Sequence, residues 1–142
     1  MTGYNTLRLE VDDGLARVTL TEAARGNPID GAFSADLRRL AVELSHRTDV
    51  RAVLLTAEGR FFSVGGDIRS FVRDRAALPG IVKDWTSDLH PALARLQRMD
   101  APVVCAVQGD VAGGSVSLAA FSDVLFAAEG ALLHKPHEGF IS

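Results

Sequence analysis

The sequence is poor in cysteine and has no long apolar run. Its single cysteine, Cys105, excludes an internal disulfide framework and argues against a cysteine-based zinc site. The apolar stretches are short and interrupted, which argues against a membrane-spanning helix. The N-terminus shows no basic region followed by an apolar stretch, so no secretory signal is expected and the default location is the cytoplasm.

The chain also lacks a large excess of charge of one sign. The chain has 15 Lys and Arg residues against 18 Asp and Glu residues, which gives a formal net charge of -3. This balance argues against a nucleic-acid partner, because such proteins usually carry a basic surface. The 47% hydrophobic and 23% charged content is typical of a globular protein, and 142 residues suffice for one domain with a core.

The first part of the sequence predicts a hairpin followed by a helix. Apolar-rich runs at Leu7–Val11 and Leu15–Leu20 are separated by Asp12-Asp13-Gly14, whose Asp-Gly pair favours a tight turn between antiparallel strands. After a loop, helical spacing predicts an amphipathic helix over about Ala32–His46, with Asp36 off its apolar face. The apolar positions are Leu37, Leu40, Ala41 and Leu44.

Two apolar runs predict buried strands. They are Val50–Ala57, which is rich in Val and Leu, and Ala101–Val107. The almost continuous apolar character of the first indicates burial on both faces, as in a parallel sheet. A helix over about Ile81–Met99 lies between them in sequence, which gives the strand-helix-strand order of an α/β fold. Further predicted elements are a helix at Val116–Phe121 and short strands at Asp123–Ala127 and Ala131–Leu133.

Two glycine-rich junctions each follow a buried strand and precede a predicted helix. The first runs from Phe61 to Ile68 and contains Gly65 and Gly66, and the second runs from Gly109 to Ser115. N–H groups at a helix start can cradle a phosphate or hold an oxyanion, and a glycine pair can also simply turn the chain. Two converging donors would stabilise negative charge that develops on a thioester or ester oxygen. Neither junction has the spacing of a dinucleotide-binding or phosphate-binding glycine motif.

Four segments together resemble the motifs of a known family. They are Phe62–Ile68, Val107–Ser115, Arg25–Ile29 and Ser122–Val124. The first two are similar to the Phe-Ser-Ala-Gly-x-Asp-Leu/Ile and Val-x-Gly-x-x-x-Gly-Gly-Gly signatures of the enoyl-CoA hydratase/isomerase (crotonase) superfamily. The other two are similar to its Lys/Arg-x-Asn-Ala-Leu loop and its Cys/Ser-Asp-Ile strand. The resemblance runs from about Leu7 to Leu133, which is most of the chain.

The resemblance implies a fold and a site. The fold would be a crotonase-like α/β spiral of ββα units, and the substrate would be a coenzyme A thioester, with no other cofactor and no metal. Backbone N–H groups of Gly66 and Gly114 would hold the thioester oxygen. On composition alone, a residue such as Arg25 is equally well explained as a solvated loop charge. The implied substrate-binding residues are Arg25, near the coenzyme A phosphates, and the backbone at Ser63, Val64, Asp67 and Ile68.

The proton-handling part of the family pattern is altered. In the hydratases of the family two glutamates handle water and the proton, but here Ser117 stands at the first position. At the second, His137 takes the glutamate's place without a gap, and Glu138 takes it with a one-residue slip. An unactivated serine hydroxyl is not a general base near neutral pH. His137 and Glu138 are therefore the candidate proton-transfer residues, with ordinary surface positions as the alternative.

These observations support two functional hypotheses of different class. The first is an acyl-CoA enzyme of this superfamily, a hydratase or isomerase of fatty-acid metabolism; the same oxyanion hole would also serve a decarboxylase or thioesterase. The second is a non-catalytic acyl-CoA-binding or assembly subunit. We interpret residues 1–142 as a single crotonase-like domain, truncated at the C-terminus relative to the superfamily because the usual C-terminal helical region is missing. A homo-oligomer, a trimer or hexamer, would cover the exposed apolar surface.

Overall fold

The structure is a computed structural model that describes residues 3–65, 89–112, 121–129, 131 and 133–134. Several predicted features lie outside these residues. The predicted helix at Val116–Phe121 lies outside them except for its last residue, and the first part of the helix predicted over Ile81–Met99 lies outside them too. Residues 89–97 of the latter are helical, as predicted.

The chain begins with the predicted hairpin. Strand β1, Leu7–Asp12, pairs antiparallel with β2, Leu15–Leu20. The two residues between them, Asp13 and Gly14, have φ angles of 50° and 83°. Both lie in the left-handed region, as the tight hairpin turn with the favoured twist requires, and this explains the Asp-Gly pair.

Helix α1, Gly31–Ser45, follows, and its start and its buried face are visible in the sequence. Asp30 precedes the helix, and its Oδ1 accepts a hydrogen bond from the Phe33 N–H at 2.9 Å, which satisfies one of the free donors of the first turn. All four predicted apolar positions are buried, together with Phe33. The prediction of this helix is confirmed.

Asp36 is an exception to the simple amphipathic pattern. The sequence places it off the apolar face, but the structure buries it, with only 3% of the residue exposed. Its Oδ2 accepts hydrogen bonds from the Asn5 N–H, the Thr6 N–H and the Thr6 hydroxyl, each at 2.8 Å. Burial of a carboxylate is tolerated when it is hydrogen-bonded in this way, and here it fastens the segment before β1 to α1.

A five-stranded sheet forms the larger part of the described fold. It adds β3 (Ala52–Ala57), β5 (Val103–Val107) and β7 (Val124–Ala127) to the hairpin, in the order β1-β2-β3-β5-β7. All neighbours from β2 onwards are parallel, as predicted. The expected burial of β3 on both faces is wrong: Val53 and Leu55 are buried, whereas Leu54 on the opposite face is only half-buried.

A second, smaller sheet is built from very short strands. It consists of β4 (Phe61–Ser63), β6 (Asp110–Ala112) and β8 (Leu133–His134), all parallel and in the order β4-β6-β8. The sequence predicts β8 to within two residues but interprets β4 and β6 only as parts of the glycine-rich junctions. Strands of three residues are too short to show an alternating pattern, which explains the omission.

The core lies between the larger sheet and the helices. Helix α1 contributes its buried face to this core. The helical residues 89–97 contribute Leu89, Ala92, Leu93 and Leu96, which are also buried. Pro91 is exposed and lies within the described part of this helix. Within the described residues, no helix is long and apolar enough to cross a membrane.

Candidate functional site

Arg25 lies on the loop between β2 and α1. A short 3₁₀ helix, Ala23–Arg25, carries it, and its guanidinium donates to Glu22 Oε1 at 3.2 Å and to Asp30 Oδ2 at 3.0 Å. The Arg25 side chain is 45% exposed. Ion pairs at this exposure contribute about 0–1 kcal/mol, so an anionic ligand can compete for the guanidinium. The loop thus presents a cation beside the start of α1.

The same loop packs directly on the first glycine-rich junction. Gly26 has a φ of 79°, and a Cβ there would lie 2.6 Å from Val64 Cγ1. The Val64 N–H donates to the Gly26 carbonyl at 2.9 Å, and the Ile29 N–H donates to the Gly65 carbonyl at 2.7 Å. Both the φ angle and the close approach require glycine at position 26. The predicted substrate-binding residues Arg25 and Val64 are therefore brought onto neighbouring segments.

Ser63 is fully buried and its hydroxyl is used inside the protein. Ser63 Oγ donates to the Asn27 carbonyl at 2.7 Å and accepts from the Gly65 N–H at 3.2 Å. The predicted role of Ser63 concerned its backbone along coenzyme A. The side chain instead has a structural role, because it fixes the turn at Gly65 against the loop that holds Arg25.

Two amide side chains in this region were not singled out by sequence reasoning. Asn27 is buried, and its Nδ2 donates to the carbonyls of Glu58 and Phe61 at 2.9 and 3.1 Å. Gln108 is exposed, and its Nε2 donates to the carbonyls of Gly59 and Phe61 at 2.9 and 3.2 Å. Asn27 lies in the Arg25–Ile29 loop motif, but sequence reasoning assigned it no role of its own. Nothing in the local sequence pattern indicates the carbonyls that either side chain binds.

The second glycine-rich junction starts with a very close backbone contact. A Cβ on Gly109 would lie only 2.0 Å from the Arg60 carbonyl oxygen. A side chain cannot be accommodated there without moving the backbone. Glycine at this position thus lets the second junction approach the chain just before β4.

The register of the small sheet brings the two junctions side by side. β4 and β6 are parallel, with Phe61 opposite Asp110 and Ser63 opposite Val111, and an irregularity between the two pairs. Neighbouring strands lie about 4.8 Å apart, and parallel strands end at the same edge of a sheet. The chain therefore leaves β4 and β6 at adjacent points, one leading to each predicted oxyanion donor.

The remaining predicted site residues lie outside the described residues. They are Gly66, Asp67, Ile68, Gly114, Ser117, His137 and Glu138. Their roles stay predictions.

Asp123, from the fourth motif, has a structural role at the start of β5. Its Oδ2 accepts from the Val103 N–H at 2.8 Å, while its own N–H donates to the Val103 carbonyl at 2.8 Å. This pair of bonds aligns the chain entering β7 with β5. An aspartate in this motif is therefore explained without a catalytic role.

A surface cleft of about 630 Å³ opens away from these residues, between the end of α1 and residues 95–101. Of the predicted site residues that the structure describes, namely Arg25, Ser63 and Val64, none lines it. The described part of the chain also holds no cluster of three or more His, Cys, Asp or Glu side chains arranged to bind a metal.

Comparison with known proteins agrees with the motif set. The sequence model of the enoyl-CoA hydratase/isomerase family matches residues 10–139. Cyclohexa-1,5-dienecarbonyl-CoA hydratase from Thauera aromatica is 31% identical over 128 residues, which are 90% of this chain and 47% of the relative. The 1,2-epoxyphenylacetyl-CoA isomerase of Escherichia coli is 30% identical over 122 residues, covering 85% of this chain and 47% of the relative.

Solved structures give the same result for the fold. The crystal structure of an enoyl-CoA hydratase/isomerase from Mycobacterium paratuberculosis superimposes with a TM-score of 0.84 at 30% identity, covering 96% of this chain and 55% of that one. The predicted crotonase-like α/β fold is confirmed in partial form. The chain spans about half the length of the curated relatives that it matches.

Proposed function

Because the chain belongs to the enoyl-CoA hydratase/isomerase family, we propose that it binds an acyl-CoA or enoyl-CoA thioester and stabilises negative charge on the thioester oxygen. Two backbone N–H groups, those of Gly66 and Gly114, supply the hydrogen bonds. Donors of this kind act where charge develops in the transition state, and losing one typically costs about 2.7–4 kcal/mol of barrier lowering.

The register of β4 and β6 is the observation that carries this proposal. Ser63 is paired with Val111, and Gly66 and Gly114 each follow their member of this pair by three residues. Both glycines thus come after the same edge of one small parallel sheet, at equivalent positions along the chain. Ligands of α/β proteins bind preferentially beyond the carboxyl ends of parallel strands. A glycine pair that only turned the chain would not need a second glycine at the matching position after the neighbouring strand.

Coenzyme A would lie along the first junction. Its main contacts would be the backbone at Ser63, Val64, Asp67 and Ile68, and its phosphates would reach Arg25. The half-exposed guanidinium supports this placement because a phosphate can bind its exposed side, while Glu22 and Asp30, whose side chains are 29% and 14% exposed, orient it.

The reaction proposed is that of a hydratase or isomerase in fatty-acid metabolism, with His137 or Glu138 as the proton-transfer group. A homo-oligomer, a trimer or hexamer in the cytoplasm, would be the working form. The second candidate, a non-catalytic acyl-CoA-binding or assembly subunit, is favoured by one observation: Ser117 and His137 stand where the hydratases have glutamates. Such a subunit would keep the thioester-binding backbone and lack the carboxylates.

The experiment measures crotonyl-CoA binding and hydration with the purified chain. We expect Gly66→Pro, which removes the N–H, to abolish productive binding, whereas Gly66→Ala, which keeps the N–H, retains it. Thermal unfolding of both variants shows whether each is folded. If Gly66→Pro binds crotonyl-CoA as tightly as the wild type does, the proposal is contradicted.

The same assay separates the two candidate functions. Binding without hydration favours the non-catalytic subunit. Hydration that falls in His137→Ala or Glu138→Gln assigns the proton-transfer residue. Hydration that neither substitution lowers shows that both candidate residues are wrong.

A further inference from the structure

One backbone carbonyl joins the two halves of the site. Phe61 O accepts from Asn27 Nδ2 at 3.1 Å and from Gln108 Nε2 at 3.2 Å. Asn27 belongs to the loop before α1, and Gln108 directly follows β5. Each amide also holds a second carbonyl of the same turn, at Glu58 and Gly59 respectively, with both distances 2.9 Å. We call Asn27, Gln108 and the Phe61 carbonyl the amide clamp.

The amide clamp is rigid on the Asn27 side. Asn27 is only 4% exposed and its carbonyl accepts from Ser63 Oγ, so the loop holds both the start and the end of β4. Its φ of 52° is one that asparagine adopts more readily than most residues. Within the described residues, Asn27 Oδ1 is buried without a hydrogen-bond partner. The contribution of this side chain therefore comes from its Nδ2 donor alone.

On the Gln108 side the clamp lies next to the tightest contact in the region. Gly109 packs against the Arg60 carbonyl, and the following residue, Asp110, is paired with Phe61 in the small sheet. The clamp thus acts at the point where β4 and β6 begin to run together. Gln108 bonds to the turn just before that point, while the predicted oxyanion donors lie after the other end of the same strands.

Short strands carry little information about register by themselves. β4 and β6 have three residues each, and a slip by one residue would move one donor by about 3.3 Å relative to the other. Oxyanion donors must lie about 2.7–3.1 Å from the charged oxygen, so such a slip would leave only one donor in reach. A fixed point at the start of both strands removes this freedom.

We propose that Asn27 and Gln108 are positioning residues that fix β4 against β6 and thereby set the separation of the two N–H donors. This inference rests on the proposed function, because it assigns the clamp to that oxyanion hole. In this role both side chains act through the strands and not by contact with the thioester.

The test compares one isosteric change at two exposed glutamines. Gln108→Glu replaces the Nε2 donor with a carboxylate oxygen, which repels the Phe61 and Gly59 carbonyls. Gln97→Glu is the matched control, because Gln97 Nε2 also donates to a carbonyl, that of Phe121 at 3.4 Å, but away from the clamp. Asn27→Asp makes the corresponding change on the buried side and serves as a second clamp variant.

The first readout is the enolate of bound acetoacetyl-CoA, followed by its near-ultraviolet absorbance, with binding of coenzyme A alone as the reference. We expect Gln108→Glu to lower the bound enolate fraction about tenfold, as expected when a hydrogen bond that holds a donor in place is lost. Coenzyme A binding should not change, because the contacts proposed for coenzyme A are with Arg25 and the first junction and not with Gln108. Gln97→Glu should behave as wild type. Equal enolate fractions in the two glutamine variants would overturn the inference.

The second readout is amide hydrogen exchange, which does not depend on any acyl-CoA. Gln108→Glu should speed exchange in residues 61–63 and 110–112, and Gln97→Glu should not. If wild-type protein forms no enolate, the proposed function fails, and the exchange result then decides the clamp alone. Unchanged exchange in these residues would show that the clamp does not fix the two strands.

Discussion

The two sheets of this protein share one apolar core but differ in the contacts that accompany it. The five-stranded sheet packs an apolar face against α1 and residues 89–97, and its buried side chains include Val18, Val53 and Leu55. The small sheet has strands of two or three residues. Phe62 and Val111 on these strands are fully buried, and glycine contacts and side-chain amides on backbone carbonyls add directional contacts. Buried area dominates in the larger sheet, whereas directional contacts have a larger share in the small one.

This difference suits the small sheet to the proposed site. Hydrophobic burial is non-directional and tolerates small shifts of one element on another. Hydrogen bonds and backbone contacts have narrow distance and angle requirements, so they fix a register more sharply. A site that needs two N–H donors at a set separation benefits from the second kind of contact. The larger sheet supplies most of the buried apolar side chains of the strands and thereby supports the small sheet.

The largest effect should come from the core of the larger sheet. Leu40 on α1 is 1% exposed, and Leu40→Ala should lower the free energy of unfolding by about 2–5 kcal/mol, because the cavity it leaves cannot fully collapse. Val42 on the same helix is 38% exposed, and Val42→Ala is the matched control, with an expected change within about 0.5 kcal/mol. Urea unfolding measures both. Similar losses in the two variants would contradict the assignment of the core to this face of α1.

A smaller effect, but one centred on the site, should come from Gly109→Ala. The added methyl group would meet the Arg60 carbonyl at 2.0 Å, so the backbone must shift, at an expected cost of about 1–3 kcal/mol. The free energy of acyl-CoA binding should change by more than the free energy of unfolding, because the backbone shift separates β6 from β4. Gly3→Ala is the control, since nothing lies within 4 Å of a Cβ there. A Gly109→Ala protein with wild-type stability and binding would show that the close contact is not required.

The same contrast between the sheets explains what the sequence could predict. The hairpin, α1 and the parallel strands of the larger sheet are each long enough to show a period or a turn signal. Their burial is partly misjudged, because periodicity cannot anticipate that Asp36 is buried by the Thr6 backbone and hydroxyl. Nor could it separate the buried and half-buried faces of β3, where both faces are apolar in sequence.

Sequence motifs predicted which segments form the candidate site, but they did not predict the side-chain contacts that hold these segments together. The glycine-rich junctions were found because two adjacent glycines are unusual, and the register of β4 and β6 then placed the starts of both junctions together. Asn27 and Gln108 were missed because the carbonyls that they bind lie 31 to 49 residues away along the chain. A side-chain bond to a distant backbone carbonyl leaves no local pattern, since every residue type offers the same carbonyl.

The smallest effect should be a dependence on pH in the larger sheet. Cys105 on β5 is fully buried, and burial raises the pKa of its thiol to about 12. An unfolded thiol has a pKa of about 8.5, so above that pH the unfolded state loses a proton that the folded state keeps. The contribution of the buried thiol to the free energy of unfolding is fully present below about pH 8.5. Above that pH the free energy of unfolding falls by up to about 1.4 kcal/mol per pH unit. Urea unfolding between pH 7 and 10 should therefore show a steeper decline for wild type than for Cys105→Ala, whose other titrating groups are the same. Parallel declines would mean that the folded protein accommodates the Cys105 thiolate, and the larger sheet would then be less tightly packed around β5 than its burial indicates.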